Sequence, residues 1–390
     1  MLPHLLYVGD VPVEASYHGS ALLHRLLVDY PVDRLTVIET AAPSMPSRRL
    51  PNVNYLSHPL GKQRWLNTRF HAHAVAWYSR AAARRGPQIS ARLNGFACEG
   101  VLTVAHGFGW LAAAALAARR KAPLHLMVHD DWPRVVNVRP GVRNWIDARF
   151  ADVYRAARSR LCVSSAMCAA YEARYGVPAE VIYPMRAVNC PNLDAPPPRL
   201  GRNEVPFTIA FAGSINSHGY IQALLALQQA LEPAGGRLLI YGPMAADAAR
   251  KVGLDRPHTI VGGLLSAPEL MQRLREEADA LFVPMSFDPV DRTNMELAFP
   301  SKLADFTAIG LPLVIYGPPY CSAVRWAREN YGVGEVVDRV SVSQLSQTIS
   351  RLAREPPLRV ASGKRALEVG REYFAYEKVR QVFNRVVSLS

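Results

Sequence analysis

Ser301, Lys302 and Asp305 stand at the start of a short helical pattern that follows a buried apolar run and a polar loop. Pro300 at the helix start and Gly310 at its end are the punctuation such a helix needs. If a sheet edge lies there, the first-turn N–H groups and the macrodipole favour a phosphate. Lys302 adds a point charge, and Asp305, three residues further on roughly the same face, can accept hydroxyls beside that phosphate. A second chemical cluster, His129-Asp-Asp-Trp-Pro133, ends an apolar run and puts an imidazole and two carboxylates at a strand end. Asp130 or Asp131 is the candidate base for a reacting hydroxyl. Adjacent strand residues point to opposite faces, so one of the two reaches the site.

The elements that must position these groups alternate between short apolar strands and helices, the pattern of parallel sheets covered on both faces. Strands are expected at 5–8, 35–38, 101–104, 124–128, 160–163 and 179–182, with helices at 19–29, 68–85, 110–120 and 165–175. Residues 191–206 break the pattern with clustered prolines and read as a linker. A second series follows, with strands at 208–212, 237–241, 259–261, 280–284, 313–315 and 335–337. The fold class expected is α/β: two doubly wound Rossmann-like domains facing across a cleft. The N-terminal domain is 1–190, the linker 191–206, the C-terminal domain 207–356 and a helical tail 357–390. Open α/β sheets bind ligands at the C-terminal ends of their strands.

The chain has 390 residues and a formal net charge of +13. Residues 1–190 hold 23 Lys and Arg against 12 Asp and Glu, while residues 191–390 hold 22 against 20. The first half is therefore suited to an anionic partner: a membrane surface or a phosphorylated acceptor. Absence of an RNA-binding motif or lysine-rich run argues against nucleic acid. The 62–85 segment mixes basic residues with Trp65, Phe70, Trp77 and Tyr78, which suits an anionic bilayer or a lipid-linked acceptor, although helical cores use the same spacing. The sequence contains no uncharged apolar stretch of 18 residues, its first strand is not preceded by a basic leader, and its five scattered cysteines include no CxxC pair. A cytoplasmic protein, peripheral on the inner face of the membrane, and no metal site are expected. Neither a G-x-S-x-G nor a P-loop occurs. Gly107-x-Gly109-x-x-Ala112 forms a dinucleotide-like fingerprint with Asp130 downstream, which makes an NAD(P)-dependent oxidoreductase the rival enzyme.

Phe299-Pro-Ser-Lys-Leu-Ala-Asp-Phe-Thr-Ala-Ile-Gly-Leu-Pro-Leu-Val314 resembles the nucleotide-sugar signature of GT-B glycosyltransferases, especially the family 4-like group. The resemblance continues in order through Tyr17-His-Gly-Ser20, Ala105-His-Gly107, His129-Asp-Asp-Trp-Pro133, Val163-Ser-Ser165 and Phe211-Ala-Gly-Ser214. It implies that Asp305 holds the nucleotide ribose, Ser301 and Lys302 the diphosphate, and that His106 sits beside the donor sugar. Gly19 would let the backbone approach phosphate and acceptor. The chain departs from the family in two ways. Glu296 and Asp305 have eight residues between them where the family often has two glutamates separated by seven. The family's Arg and Lys are missing from Gly213-Ser-Ile-Asn-Ser-His-Gly219. Phosphate charge would then fall to backbone N–H groups, Ser214, His218, Lys302 or Arg292, with Gly213 beside them and Glu296 meeting the sugar. A nucleoside diphosphate is already a good leaving group, so the reaction asks for charge stabilisation and positioning, with no metal and no cofactor beyond the nucleotide-sugar co-substrate. The resemblance leans to a retaining course and to a glycan or lipid-linked acceptor. A non-catalytic scaffold is the remaining alternative, raised by the missing Arg and Lys.

Overall fold

The structure, a computed structural model, describes residues 1–390 other than 17, 42, 60–64, 66, 67, 94, 133, 136, 137, 139, 204, 205, 216 and 390. The chain divides into two compact units, Met1–Met185 with Glu377–Ser390, and Arg186–Tyr376. In the first unit the strands are β1 (Leu5–Gly9), β2 (Leu35–Glu39), β3 (Asn54–Ser57), β4 (Gly100–Val104), β5 (Leu124–Val128), β6 (Ser159–Cys162) and β7 (Glu180–Val181). Its helices are α1 (His18–Leu27), α2 (His71–Ala83), α3 (Gly86–Arg92), α4 (Gly109–Arg120), α5 (Pro140–Ala156) and α6 (Ser165–Tyr175). All pairings are parallel, in the order β3-β2-β1-β4-β5-β6-β7. β1, β2, β4 and β5 are buried at every position, as strands covered on both faces must be.

The second unit opens with β8 (Thr208–Ala212), α7 (His218–Leu231), β9 (Arg237–Tyr241), α8 (Ala246–Lys251), β10 (Thr259–Gly263) and α9 (Ala267–Glu277). It continues with β11 (Ala280–Pro284), α10 (Arg292–Leu297), α11 (Lys302–Ile309), β12 (Leu313–Tyr316), α12 (Ser322–Glu329), β13 (Gly334–Val337), α13 (Val342–Arg354) and α14 (Pro356–Phe374). Its parallel sheet runs β10-β9-β8-β11-β12-β13. The last helix, α15 (Tyr376–Val387), lies largely in the first unit, where Arg385 pairs with Glu180 and Arg380 with Asp29. Both units are Rossmann-like α/β layers.

The units divide differently from the expected boundaries. The proline-rich 191–206 stretch, of which 204 and 205 lie outside the described residues, packs within the second unit through Leu200, which is buried, and Arg199, which pairs with buried Asp279, whose carboxylate also accepts from Thr208 N at 2.8 Å. α14, expected as part of a tail, lies against α11. Arg359 of α14 is fully buried and donates to the carbonyls of Leu352 and Ala353 at the end of α13 and of Leu200 and Arg202 in the proline-rich stretch. Arg359→Met fills similar space but strands these carbonyls. It is expected to lower stability by about 3 kcal/mol or more, read as an earlier urea midpoint of the second unit. A variant as stable as the parent would show that these carbonyls find other partners.

Candidate active site

In the second unit, β8 runs into Gly213, whose positive φ (137°) suits glycine, and whose N–H reaches Tyr241 O at 2.9 Å. A side chain there would meet the Lys302 ammonium, so the glycine leaves room directly before the lysine. α11 starts at Lys302 after Ser301, whose side chain makes no capping bond, and it ends at Gly310 in the left-handed region. Lys302 Nζ stands 4.4 Å from the Phe211 ring centroid and 5.1 Å from that of Tyr220, and among the described residues no carboxylate pairs with it. Burial pushes its pKa down to about 7. The two ring faces offer this ammonium cation–π contact, while its partial withdrawal from water without a carboxylate partner disfavours the charged form.

The start of α7 lies beside it, since Tyr220 belongs to its first turn. Ser217, its N-cap, does not cap with its side chain, and Ser217 Oγ is buried with no hydrogen-bond partner. Gly219 is packed where the Ser286 hydroxyl fills the space of a Cβ, which holds the loop after β11 against α7. Just before α10 and within it, Asp291 Oδ2 and Asn294 Oδ1 are likewise buried and unpartnered. The structure thus brings Gly213, Ser214, Ser301 and Lys302 to the C-terminal edge of β8 and β11. Asp305 is half-buried one turn further along α11, where its charge acts on the buried Arg186 guanidinium. His218 is exposed beside Gln222 Nε2 at 3.2 Å, and Glu296 is half-buried in α10, its carbonyl accepting from Arg325. Arg292 is exposed over the Tyr320 ring. Sequence reasoning missed Ser217, Asp291 and Asn294, because only tertiary packing leaves their oxygens buried and unmet.

In the first unit, His106 is exposed at the end of β4 with its ring 5.7 Å from that of Trp132. Gly19, in the first turn of α1, faces His129 Nδ1, and His129 Nε2 is buried without a partner. Burial, helped by the neighbouring His106, holds the His129 pKa down to about 4, so this imidazole is neutral. Asp130 is half-buried next to it. Both acids lie in the turn beyond the end of β5 rather than on the strand, and it is the ion pair with α6 that draws Asp131 inward. It is 1% exposed, with Arg174 at 2.6 and 3.2 Å across its two oxygens and the Tyr171 hydroxyl at 3.0 Å. Of the two candidate bases, Asp131 is therefore committed to an internal ion pair.

The dinucleotide-like fingerprint has a different explanation. Asp10, just after β1, accepts from Phe108 N at 2.5 Å and Gly109 N at 3.2 Å and is bonded to Thr40 Oγ1. A side chain at Gly107 would collide with that carboxylate, and one at Gly109 with the backbone of Gly9 and Asp10. The α4 N-terminus is thus filled by the protein's own carboxylate, with no opening for a pyrophosphate. Positions 17, 62–64, 66, 67, 133 and 216 of the expected segments lie outside the described residues.

Residues 32–185 match the model of Glycosyltransferase Family 4. No curated protein matches the sequence. Among solved structures, Anabaena HepE in complex with UDP and glucose is 14% identical with a TM-score of 0.66, over 99% of each chain. Sucrose-phosphate synthase from Thermosynechococcus elongatus is 13% identical with a TM-score of 0.70 over 100% of each chain. The lipopolysaccharide outer core galactosyltransferase WaaB in its apo form is 15% identical with a TM-score of 0.63 over 98% of each chain. These likenesses are of fold, over the full length. The chain thus has the GT-B fold throughout, and its residues 32–185 are similar to Glycosyltransferase Family 4.

Proposed function

We propose that the protein transfers a sugar from a nucleoside diphosphate donor, held by the second unit, to an acceptor hydroxyl offered to the first. The observation that carries this is the unpaired, desolvated Lys302 at the start of α11, flanked by side-chain-free Gly213 and the uncapped start of α7. A diphosphate would complete that charge and use the free N–H groups of both helix starts, which stabilises the departing oxygens without a metal. The family's missing Arg and Lys are then replaced by one lysine whose charge is worth more for being partly withdrawn from water. The orphaned acceptors Asp291 and Asn294, with Glu296, suit the hydroxyls of the transferred sugar, and Asp305 those of the ribose. UDP is the nucleotide in the HepE complex, which makes UDP-sugars the first donors to try.

On the acceptor side His106 would contact the donor sugar and Asp130 orient or deprotonate the acceptor hydroxyl. A retaining course follows the resemblance. With Asp131 buried in an ion pair, Asp130 is the one of these two acids available for an inverting course. Calorimetry with UDP-, GDP- and dTDP-sugars, followed by nucleotide-release assays and product anomer determination, tests the reading. Tight NAD(H) binding with no nucleotide-sugar binding would overturn it.

The reading extends to a cytoplasmic enzyme peripheral to an anionic membrane and a glycan or lipid-linked acceptor. Among the described residues no helix is long and apolar enough to cross a bilayer. Trp65, Phe70 and Trp77 are 46%, 44% and 57% exposed, with Arg69 stacked on Phe70, while Tyr78 is buried. Exposed aromatics beside arginines suit the headgroup region. Flotation with anionic vesicles should weaken with salt and with Trp77→Ala.

A further inference from the structure

The end of β3, at the edge of the first sheet, carries groups that the donor chemistry does not use. His58 follows β3 and extends its ladder, donating its N–H to Glu39 O at 2.8 Å. Its side chain is only 7% exposed, and Nε2 is buried with no hydrogen-bond partner. Arg92, the last residue of α3, donates Nη1 to Ser57 O at 3.2 Å, beside that imidazole. Arg85, the N-cap of α3, is seven residues earlier and so on the same helical face, with its Nη1 on Gln88 at 2.6 Å. Among the described residues neither arginine has a carboxylate partner. Burial and then the charges of Arg92 and Arg85 lower the His58 pKa. No acid contributes to that balance.

A buried imidazole nitrogen left unmet beside two unpaired guanidinium groups lacks one thing, an anion with several acceptor oxygens. Guanidinium forks match phosphate in geometry and charge, and the neutral imidazole supplies one further N–H. We propose that His58, Arg85 and Arg92 form a binding site for a phosphate ester, carried by the acceptor substrate or by the lipid to which it is attached. Strand ends set the distance. β3 is three places from β4 in the sheet, so this phosphate lies about 14 Å from the strand end that bears His106. That span exceeds one sugar ring, so the ester would lie at least one unit away from the reacting hydroxyl. The inference adds charge to the acceptor of the proposed reaction, but it is tested by binding alone and does not fall with the donor reading.

The experiment is calorimetric titration of the full-length protein with inorganic phosphate and with a hexose phosphate. It is run on the parent, on His58→Gln and on the double variant Arg85→Gln/Arg92→Gln. Saturable binding weakened at least tenfold in both variants, with UDP affinity unchanged, is the expected result. The double variant changes side chains outside the core, so it remains interpretable if His58→Gln fails to fold. Vesicles of phosphatidic acid in phosphatidylcholine form a parallel arm. Flotation that needs Arg85 and Arg92, with weak hexose phosphate binding, assigns the ester to a lipid headgroup; tight hexose phosphate binding without flotation assigns it to a soluble acceptor. Equal phosphate and vesicle binding by parent and double variant, or none by the parent, overturns the site.

Discussion

Lys302→Met is expected to weaken nucleoside diphosphate binding by on the order of 100-fold or more while leaving the melting temperature unchanged or higher. The two effects have one cause. The ammonium lies between Phe211 and Tyr220 with no carboxylate partner among the described residues, so in the empty protein its charge costs free energy. Its pKa falls from the ordinary 10.5 to about 7 through burial. The unfolded chain therefore binds more protons between those values, and stability attributable to this group rises as pH rises from 7 toward 10.5. At pH 7 and below the folded state bears the full cost, up to roughly 4 kcal/mol before solvent screening reduces it. Methionine removes the cost and the slope together. A bound diphosphate restores the charged form, so binding above pH 7 takes up a proton and affinity declines as pH rises. Calorimetry between pH 6 and 9 in buffers of different ionisation enthalpy measures both. A variant that binds nucleotide like the parent would remove the diphosphate from this position. One that melts much earlier would make Lys302 a structural residue.

Asp131→Ala is expected to destabilise the first unit by about 3–5 kcal/mol, the range for breaking a buried ion pair from one side. Arg174, half withdrawn from water, would lose both of its hydrogen bonds to the carboxylate, and the Tyr171 hydroxyl one of its two. The loss should appear as an early urea transition with the second unit still folded. Turnover should follow the folded fraction. Asp130→Asn separates the roles, since it is expected to lower turnover in protein that remains folded. Native stability with abolished turnover in Asp131→Ala would reinstate Asp131 as the reacting base.

Much of the fold was legible in the chain because buried parallel strands are continuous apolar runs. β8, β9 and β11 fall at the expected 208–212, 237–241 and 280–284. What escaped has little apolar signal to give. β3 is an edge strand with no buried residue, α5 buries only Ile146, Phe150 and Tyr154 over 17 residues, and α8 and α10 have six residues each. The proline-rich stretch was misleading for a related reason. Its composition rules out helix, yet it packs through Arg199, Leu200 and the carbonyls met by Arg359.

Residue type and local order were enough to determine two parallel α/β layers and the start of α11 at Lys302, because helix punctuation and strand burial are encoded in neighbouring residues. Tertiary structure alone decided which charges are met. Lys302 is unpaired because Phe211 and Tyr220, some ninety residues earlier, enclose it. Asp131 is neutralised because Arg174 arrives from α6, and the α4 N-terminus is closed because Asp10 arrives from β1. A side chain's chemistry depends on the dielectric and the counter-charges around it, and in this protein those come from residues distant in the chain.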